Sequence, residues 1–361
     1  MAKKIRVGII GVGNCFAGLI QGIEYYKKHK DKKPVGLMHT KIGPYSFSDI
    51  EFVSAFDVGA NKIGKTLDKA VFVYPNLVKW VKLPKSKVIV KEAPVLDGVG
   101  IYVENRIKPL KNPTPIEELR KEIEKEIRKS KTEVLVNYLP VGSQKATEFW
   151  AEIALKTKTA MVNCLPAFIA SNKNWAERFR KARVPIIGDD IKGQIGATIV
   201  HRVLARLCDE RGTTIDKTYQ INVGGNTDFL NMLERARLES KKISKTEAVT
   251  SQIHKDVKSD KIYIGPSDFV PFLGNTKLAF MRIEGRMFAD VPYSLELRLD
   301  VDDKANSGGI VIDAIRCAKL ARDRKLAGYI PVSSYFMKHP LIQKTDDEAR
   351  KIVENFINNK K

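Results

Sequence analysis

The sequence predicts an α/β chain, with a parallel sheet covered by helices on both faces and then a second α+β unit built on a largely antiparallel sheet. Three observations carry this. Short apolar runs alternate with helical patterns through residues 5–207, the rhythm of a parallel sheet with crossover helices. A glycine turn follows the first of those runs. Beyond Thr214 the texture changes to longer strand-like stretches, the last of which alternates as LELRLDV, as a half-buried antiparallel strand does.

The elements follow in order. Residues 5–10 (IRVGII) form a short apolar strand, and Gly11, Gly13 and Asn14 turn the chain into a helix expected to begin near Phe16. Strand, glycine turn and helix open a Rossmann-type dinucleotide-binding unit. The fingerprint is approximate, Gly8-x-x-Gly11-x-Gly13, because Phe16 stands where a third glycine is usual and Gly18 comes two residues later. A second strand, Glu51–Phe56, ends at Asp57, the place for a carboxylate that accepts hydrogen bonds from an adenosine ribose. That carboxylate usually follows the glycines by about 20 residues. Here residues 27–50 intervene as an insertion whose Lys/Gly/Pro content suits a loop.

IEELRKEIEKEIRKS (116–130) sets Ile116, Leu119, Ile123 and Ile127 on one stripe of a solvated helix. Three further strands follow. Val134–Tyr138 ends in LPVGS, Ala160–Asn163 in CLPAF, and Pro185–Gly188 in DDIKGQ before a helix over Ile195–Leu207. Functional residues belong at the carboxyl ends of such strands. In the second unit the expected strands are Tyr219–Val223, Lys261–Ile264, Leu278–Glu284 and Tyr293–Val301, and the chain turns helical again from Ile310.

Composition narrows the function. The chain has 361 residues, enough for two domains. Its formal net charge of +21 raises nucleic-acid binding. The lysines are interleaved with glutamates rather than massed in a tail, so a basic surface that attracts small anions is the better reading, without nucleic acid. No apolar run reaches membrane-spanning length, and no leader precedes the first strand, so a cytoplasmic protein without membrane association is expected. The four cysteines form no CxxC pair and read as reduced thiols. The five histidines form no HxxH pattern, so no zinc site is legible.

NVGGNTDFLNMLERARLESKKISK (222–245) is the most informative segment. Asn226 and Asp228 precede an apolar helical pattern, Phe229, Met232, Leu233 and Ala236, with Asp228 or Thr227 as its N-cap. The helix is expected to end near Ser240. Ser244–Glu247 then has the form of a capping box, placing Lys245 in the first turn of another helix, where the dipole lowers an amine's pKa. Carboxamides, carboxylates and two lysines around a glycine turn suit a polar, anionic small molecule.

This segment resembles the active-site signature of the myo-inositol-1-phosphate synthases, in their short archaeal and actinobacterial form. GVGNCFAGLIQGIEYY (11–26), SAFDVGANKIGK (54–65), VLDGVG (95–100), NYLPVGSQKA (137–146), NCLPAFIAS (163–171), VPIIGDDIKGQIGATIVHRVLARL (184–207), IGPSDFVPFLGNTK (264–277), EGRMFADVP (284–292) and SYFMKHP (334–340) are similar to that family in its order.

The resemblance implies conversion of D-glucose 6-phosphate to 1D-myo-inositol 3-phosphate (L-myo-inositol 1-phosphate), with a bound NAD reduced and then reoxidised. A hydride leaves C5, the ketone acidifies the C6 proton, an intramolecular aldol closes C6 onto C1, and the hydride returns. Lys241, Lys245, Lys277 and Lys338 match the family's four lysines. Lys245 and Lys277 are expected to face phosphate and reacting oxygens, and Lys241 and Lys338 to attend proton transfer and oxyanions. Asp190, Asp228 and Asp303 complete the catalytic set. Gly193, Gln194, Asn222 and Asn226 match substrate positions, with the amides that open the helix near Ile195 suited to phosphate. Some members carry serine where Gly193 stands. Gly11, Val12, Gly13, Asn14, Asp57, Asp190 and Asp303 are the cofactor set.

The resemblance also implies a homotetramer with residues 215–305 at the main interface. It gives an NAD-binding domain of residues 1–200 and 310–361 and a catalytic, tetramerising domain of residues 201–309. It leaves open a divalent cation, for which the three aspartates could supply oxygens. Two rivals remain: a dehydrogenase with a separate second substrate, which would release NADH, and a basic, non-catalytic nucleotide or nucleic-acid binder.

Overall fold

A computed structural model describes residues 4–29, 34–252, 257, 259–265 and 268–359. Pro266 and Ser267 of the 264–277 motif lie outside the described residues. The central sheet has seven strands: β1 (Ile5–Ile10), β2 (Ile50–Asp57), β3 (Val90–Glu92), β4 (Val134–Asn137), β5 (Ala160–Asn163), β6 (Pro185–Ile187) and a short strand Gly328–Tyr329 from the C-terminal segment. Their order is Gly328–Tyr329, β6, β5, β4, β1, β2, β3, and every pairing is parallel. β1 pairs with β4 on one side and β2 on the other, so its carboxyl end opens a crevice between them.

The inner strands are buried on both faces, as their apolar runs imply: VLV of β4 and AMV of β5 are buried, together with the asparagine that ends each. One face is covered by α1 (Asn14–Lys28) and α7 (Ala305–Asp323). The other is covered by α2 (Ile116–Lys129) and α3 (Gln144–Thr157), whose Leu119, Ile123, Ile127 and Trp150 enter a second core. Ile116 belongs to the expected stripe but stays exposed, one turn before the helix meets the sheet. The 27–50 insertion holds a small hairpin of Lys41–Ile42 with Tyr45–Ser46, and Arg316 of α7 secures it by donating to the His39 and Thr40 carbonyls.

The second sheet is mixed rather than simply antiparallel. β7 (Lys217–Gly224) runs antiparallel to β10 (Thr276–Arg286), which pairs antiparallel with β11 (Pro292–Asp302) along eleven residues of each. β8 (Ile262–Ile264) and β9 (Asp268–Phe269) lie parallel to β7. The outer strand β11 alternates exposed and half-buried residues along its length, the LELRLDV pattern made physical. The other longer helices are α4 (Lys173–Lys181), α5 (Ala197–Glu210), α6 (Glu239–Thr250) and α8 (Asp346–Ile357). Among the described residues no helix is long and apolar enough to cross a membrane.

Two local expectations are corrected. The chain after Asp228 is not one helix ending near Ser240: a short helix Thr227–Asn231 breaks, a 3-10 turn follows at Arg235–Leu238, and α6 begins at Glu239. Ser244–Glu247 therefore lies inside α6 and caps nothing. The N-cap of the short helix is Asn226, whose side-chain oxygen accepts from the Asp228 and Phe229 amides, rather than Asp228 or Thr227.

Candidate active site

One cavity of about 1910 Å³, mouth included, runs along the carboxyl ends of β1, β2, β4, β5 and β6 and continues to the second sheet. The turn after β1 forms one wall. Gly11 holds φ +87, and a Cβ there would press on the Tyr138 carbonyl at 3.0 Å, so the crossing of this turn over the chain leaving β4 requires glycine. Gly13 borders open space, and Asn14 starts α1 with its amide end toward the cavity wall.

Asp57, at the end of β2, is buried. Its Oδ2 accepts from the Val12 amide at 2.7 Å and its Oδ1 from the Gly59 amide at 2.8 Å, with the Lys62 ammonium 3.7 Å away. The carboxylate therefore fixes the glycine turn, and with about four acceptor positions it keeps capacity for two ribose hydroxyls. Val12 itself does not line the cavity; it serves through its amide to Asp57 and its carbonyl, which accepts from Lys62 at 2.8 Å. These features fit a dinucleotide.

The loop after β6 separates two adjacent carboxylates that the sequence leaves side by side. Asp189 turns into the core and accepts from Asn163 Nδ2, the Ile169, Ala170 and Ser171 amides and Ser171 Oγ. Asp190 faces the cavity with φ +61, a left-handed conformation uncommon outside glycine and best tolerated by asparagine and aspartate. The Lys338 backbone amide donates to the Asp190 carbonyl at 2.7 Å, and its Nζ donates to Asp190 Oδ1 at 2.8 Å and the Ile191 carbonyl at 2.7 Å. Ser244 of α6 donates to Asp190 Oδ2 at 2.7 Å. Burial works to raise the Asp190 pKa, but Lys338, Lys241 and these hydrogen bonds outweigh it and hold the carboxyl below its ordinary range.

Lys241 and Lys245 are one turn apart on α6, so both point into the cavity. Lys241 lies 3.5 Å from Asp228. Burial opposes its charge, yet Asp228, Asp190 and Asp303 together raise its pKa. Lys245 is 3% exposed. Burial first, and then Lys277, Lys241 and Lys338, drive its pKa well below the ordinary lysine value against the pull of Asp190. The cause is burial among cations and not the helix dipole inferred from the sequence. Lys338 is also lowered, by burial and by Lys241, with Asp190 opposing.

Lys277 opens β10. Its Nζ is 3.5 Å from Asp303 and 5.9 Å from the centre of the Phe229 ring. Behind it, Gly225 lets the turn after β7 meet the turn before β10, where a Cβ would stand 2.3 Å from the Gly274 amide. Asn226 donates to Asp303 at 3.3 Å. Burial works to raise Asp303, but Lys304 and Lys277 hold it far below the usual carboxylate range.

All four lysines and Asp190, Asp228, Asp303, Asn226 and Gly193 thus border one cavity. Two expected substrate residues do not. Gln194 turns its amide toward the Gly36 carbonyl, and Asn306 Oδ1 takes the Gln194 and Ile195 amides, so these groups are already satisfied. α5 begins at Ala197, two residues later than expected, leaving Gly193 and Gly196–Thr198 at the wall. Asn222 is buried within the second sheet, where its Nδ2 donates to the Gly265 carbonyl and its Oδ1 accepts from Gln220. Sequence reasoning missed Cys15, Lys304 and Asn306, all at the cavity wall. The run Asp302-Asp303-Lys304 before a helix was visible, but nothing in it announces burial.

Comparison with known proteins identifies the family. The family model described as myo-inositol-1-phosphate synthase matches residues 196–304. The inositol-3-phosphate synthase of Mycobacterium tuberculosis is 50% identical over 359 residues, 99% of this chain and 96% of that protein. That of Corynebacterium glutamicum is 50% identical over 363 residues, covering 98% of each. Among solved structures, a myo-inositol-1-phosphate synthase-related protein from Thermotoga maritima superposes with a TM-score of 0.83 at 25% identity over 99% of each chain. The inositol-3-phosphate synthase of Caenorhabditis elegans has the same fold, with a TM-score of 0.80 at 14% identity over 99% of this chain and 86% of that one. With its lysines and aspartates gathered beside a glycine turn and half its residues shared with such synthases along the whole chain, this chain belongs to the myo-inositol-1-phosphate synthase family of enzymes.

Proposed function

We propose that this chain converts D-glucose 6-phosphate to 1D-myo-inositol 3-phosphate, with no net consumption of NAD. The observation that carries the proposal is a single cavity bordered both by the glycine turn and by Lys241, Lys245, Lys277 and Lys338. A dinucleotide would be held by the turn Gly11–Asn14 and by Asp57, with Asp190 and Asp303 toward its reactive end, and when bound it supplies reversible hydride transfer. The same division of labour supports an NAD-binding domain of residues 1–200 and 310–361 and a catalytic domain of residues 201–309.

The chain's own groups handle charge and protons. Lys277 and the wall at Gly193 face the phosphate. Lys245, driven toward its neutral form, is the amine suited to take the proton from C6 beside a carbonyl at C5. This exchanges roles within the sequence reading, because Lys241, held charged by three aspartates, is a poor base and a good partner for an oxyanion. Lys338 is positioned by Asp190 to follow an oxygen as its charge changes. Incubation of NAD-loaded protein with glucose 6-phosphate should yield an inositol monophosphate without accumulation of NADH. Stoichiometric NADH with an open-chain keto product would instead identify a dehydrogenase.

A further inference from the structure

Lys304 borders the cavity as a cation beyond the four lysines assigned to the substrate. Its side chain is 3% exposed. Its Nζ donates to Asp303 Oδ2 at 2.9 Å and to Cys15 Sγ, in the first turn of α1, at 3.7 Å. Its stem packs on the same helix, where a Cβ added at Gly18 would stand 3.2 Å from the Lys304 Cβ. A buried ammonium is costly unless paired. Asp303 is the pair, and it outweighs burial to keep Lys304 charged.

The three carboxylates able to offer oxygens to a divalent ion are each already matched by an ammonium: Asp190 by Lys338 at 2.8 Å, Asp228 by Lys241 at 3.5 Å, Asp303 by Lys304 at 2.9 Å. Among the described residues no group of three or more His, Cys, Asp or Glu side chains is placed to hold a metal ion. The donor set does not fit a divalent cation. Lys245 is driven toward its neutral form, so Lys277, 3.5 Å from the already paired Asp303, is the ammonium left over for a phosphate.

We propose that the Lys304 ammonium is the built-in cation of this site, neutralising Asp303 in place of a soluble ion, so that Lys277 is left to the substrate phosphate and no added metal is needed. This rests on the function proposed above. A cation fixed by the fold needs no reorganisation when charge develops.

The test has three arms. Wild-type enzyme stripped with EDTA should keep full turnover and gain nothing from Mg²⁺ or Mn²⁺; loss of turnover restored by either ion overturns the proposal. Lys304→Met keeps the stem against α1 and removes the charge. It should lower turnover and weaken calorimetric binding of inorganic phosphate, each by ~10-fold or more. Lys304→Ser, which opens space, should recover both in part with methylammonium chloride but not with tetramethylammonium chloride. Unchanged phosphate binding in Lys304→Met, or no recovery in a folded Lys304→Ser, overturns it. If wild type makes no inositol phosphate, the functional reading fails. The phosphate arm and a wild-type Mn²⁺ titration by electron paramagnetic resonance still decide this proposal, a stoichiometric Mn²⁺ site overturning it.

Discussion

Lys245→Met is the most demanding perturbation of the site. The substitution keeps an unbranched side chain of similar length in a position that is 3% exposed, and it removes one amine. If that amine takes the C6 proton, turnover should fall by about 10²-fold or more, the range of a positioned acid–base group, or about 2.7 kcal/mol of transition-state stabilisation. The wild-type rate should fall as pH drops through the lowered Lys245 pKa, and the variant should lose that limb. Stability should move the other way. An amine whose folded pKa lies below its unfolded value binds fewer protons when folded. Its contribution to stability is therefore unfavourable below the folded pKa and improves as pH rises toward the ordinary lysine value. Methionine removes that penalty, so the variant should melt no lower than wild type at neutral pH, and NAD binding should persist. A stopped product assay across pH, with calorimetric melting and NAD titration alongside, measures all of this. Near-normal turnover, or joint loss of NAD binding and substrate binding, would refute the assignment.

Asp57 should enforce NAD over NADP, because a carboxylate repels a 2′-phosphate; equal activity with both cofactors would show that the ribose assignment of Asp57 is wrong. The assembly is expected to be a homotetramer through the second sheet, and sedimentation showing a monomer at micromolar concentration would remove that claim.

The parallel strands themselves, though not their order, were legible because a strand buried on both faces reads as an apolar run, as β4 and β5 do up to the asparagine that ends each. The strand-end placement of Asp57 and Asp190 followed from the same pattern. The break after Asn231 was not legible. Phe229, Met232 and Leu233 keep helical spacing across it, but Asn231 donates to the Val141 carbonyl and Arg237 to the Val141 and Asp97 carbonyls, so tertiary hydrogen bonds override the local periodicity. Gln194 and Asn222 turn away from the cavity for a related reason. Both are polar residues whose partners, Gly36 and Gly265, lie far away in sequence. A motif marks which residue types recur and not which way each side chain turns.

Lys241 and Lys245 show where such reading ends. Four residues apart on α6, they share a face, and the first-turn placement that the sequence suggested for Lys245 is not what separates them. Three aspartates converge on Lys241 from the loop after β6, the short helix after β7 and the end of β11, and its pKa rises. Three lysines, from β10, α6 and the C-terminal loop, surround Lys245 a single turn further on, and its pKa falls. The division between a permanent cation and a base is thus made by residues up to ninety-odd positions away, so it depends on the fold closing correctly. Asp190→Asn should accordingly disturb both lysines at once. It removes a charge that supports Lys241 and Lys338 and that holds Lys245 up, so all three amines should titrate lower and the acid limb of the pH–rate profile should move to lower pH. A limb that stays in place when Asp190 is neutralised would mean that the amine governing it lies elsewhere.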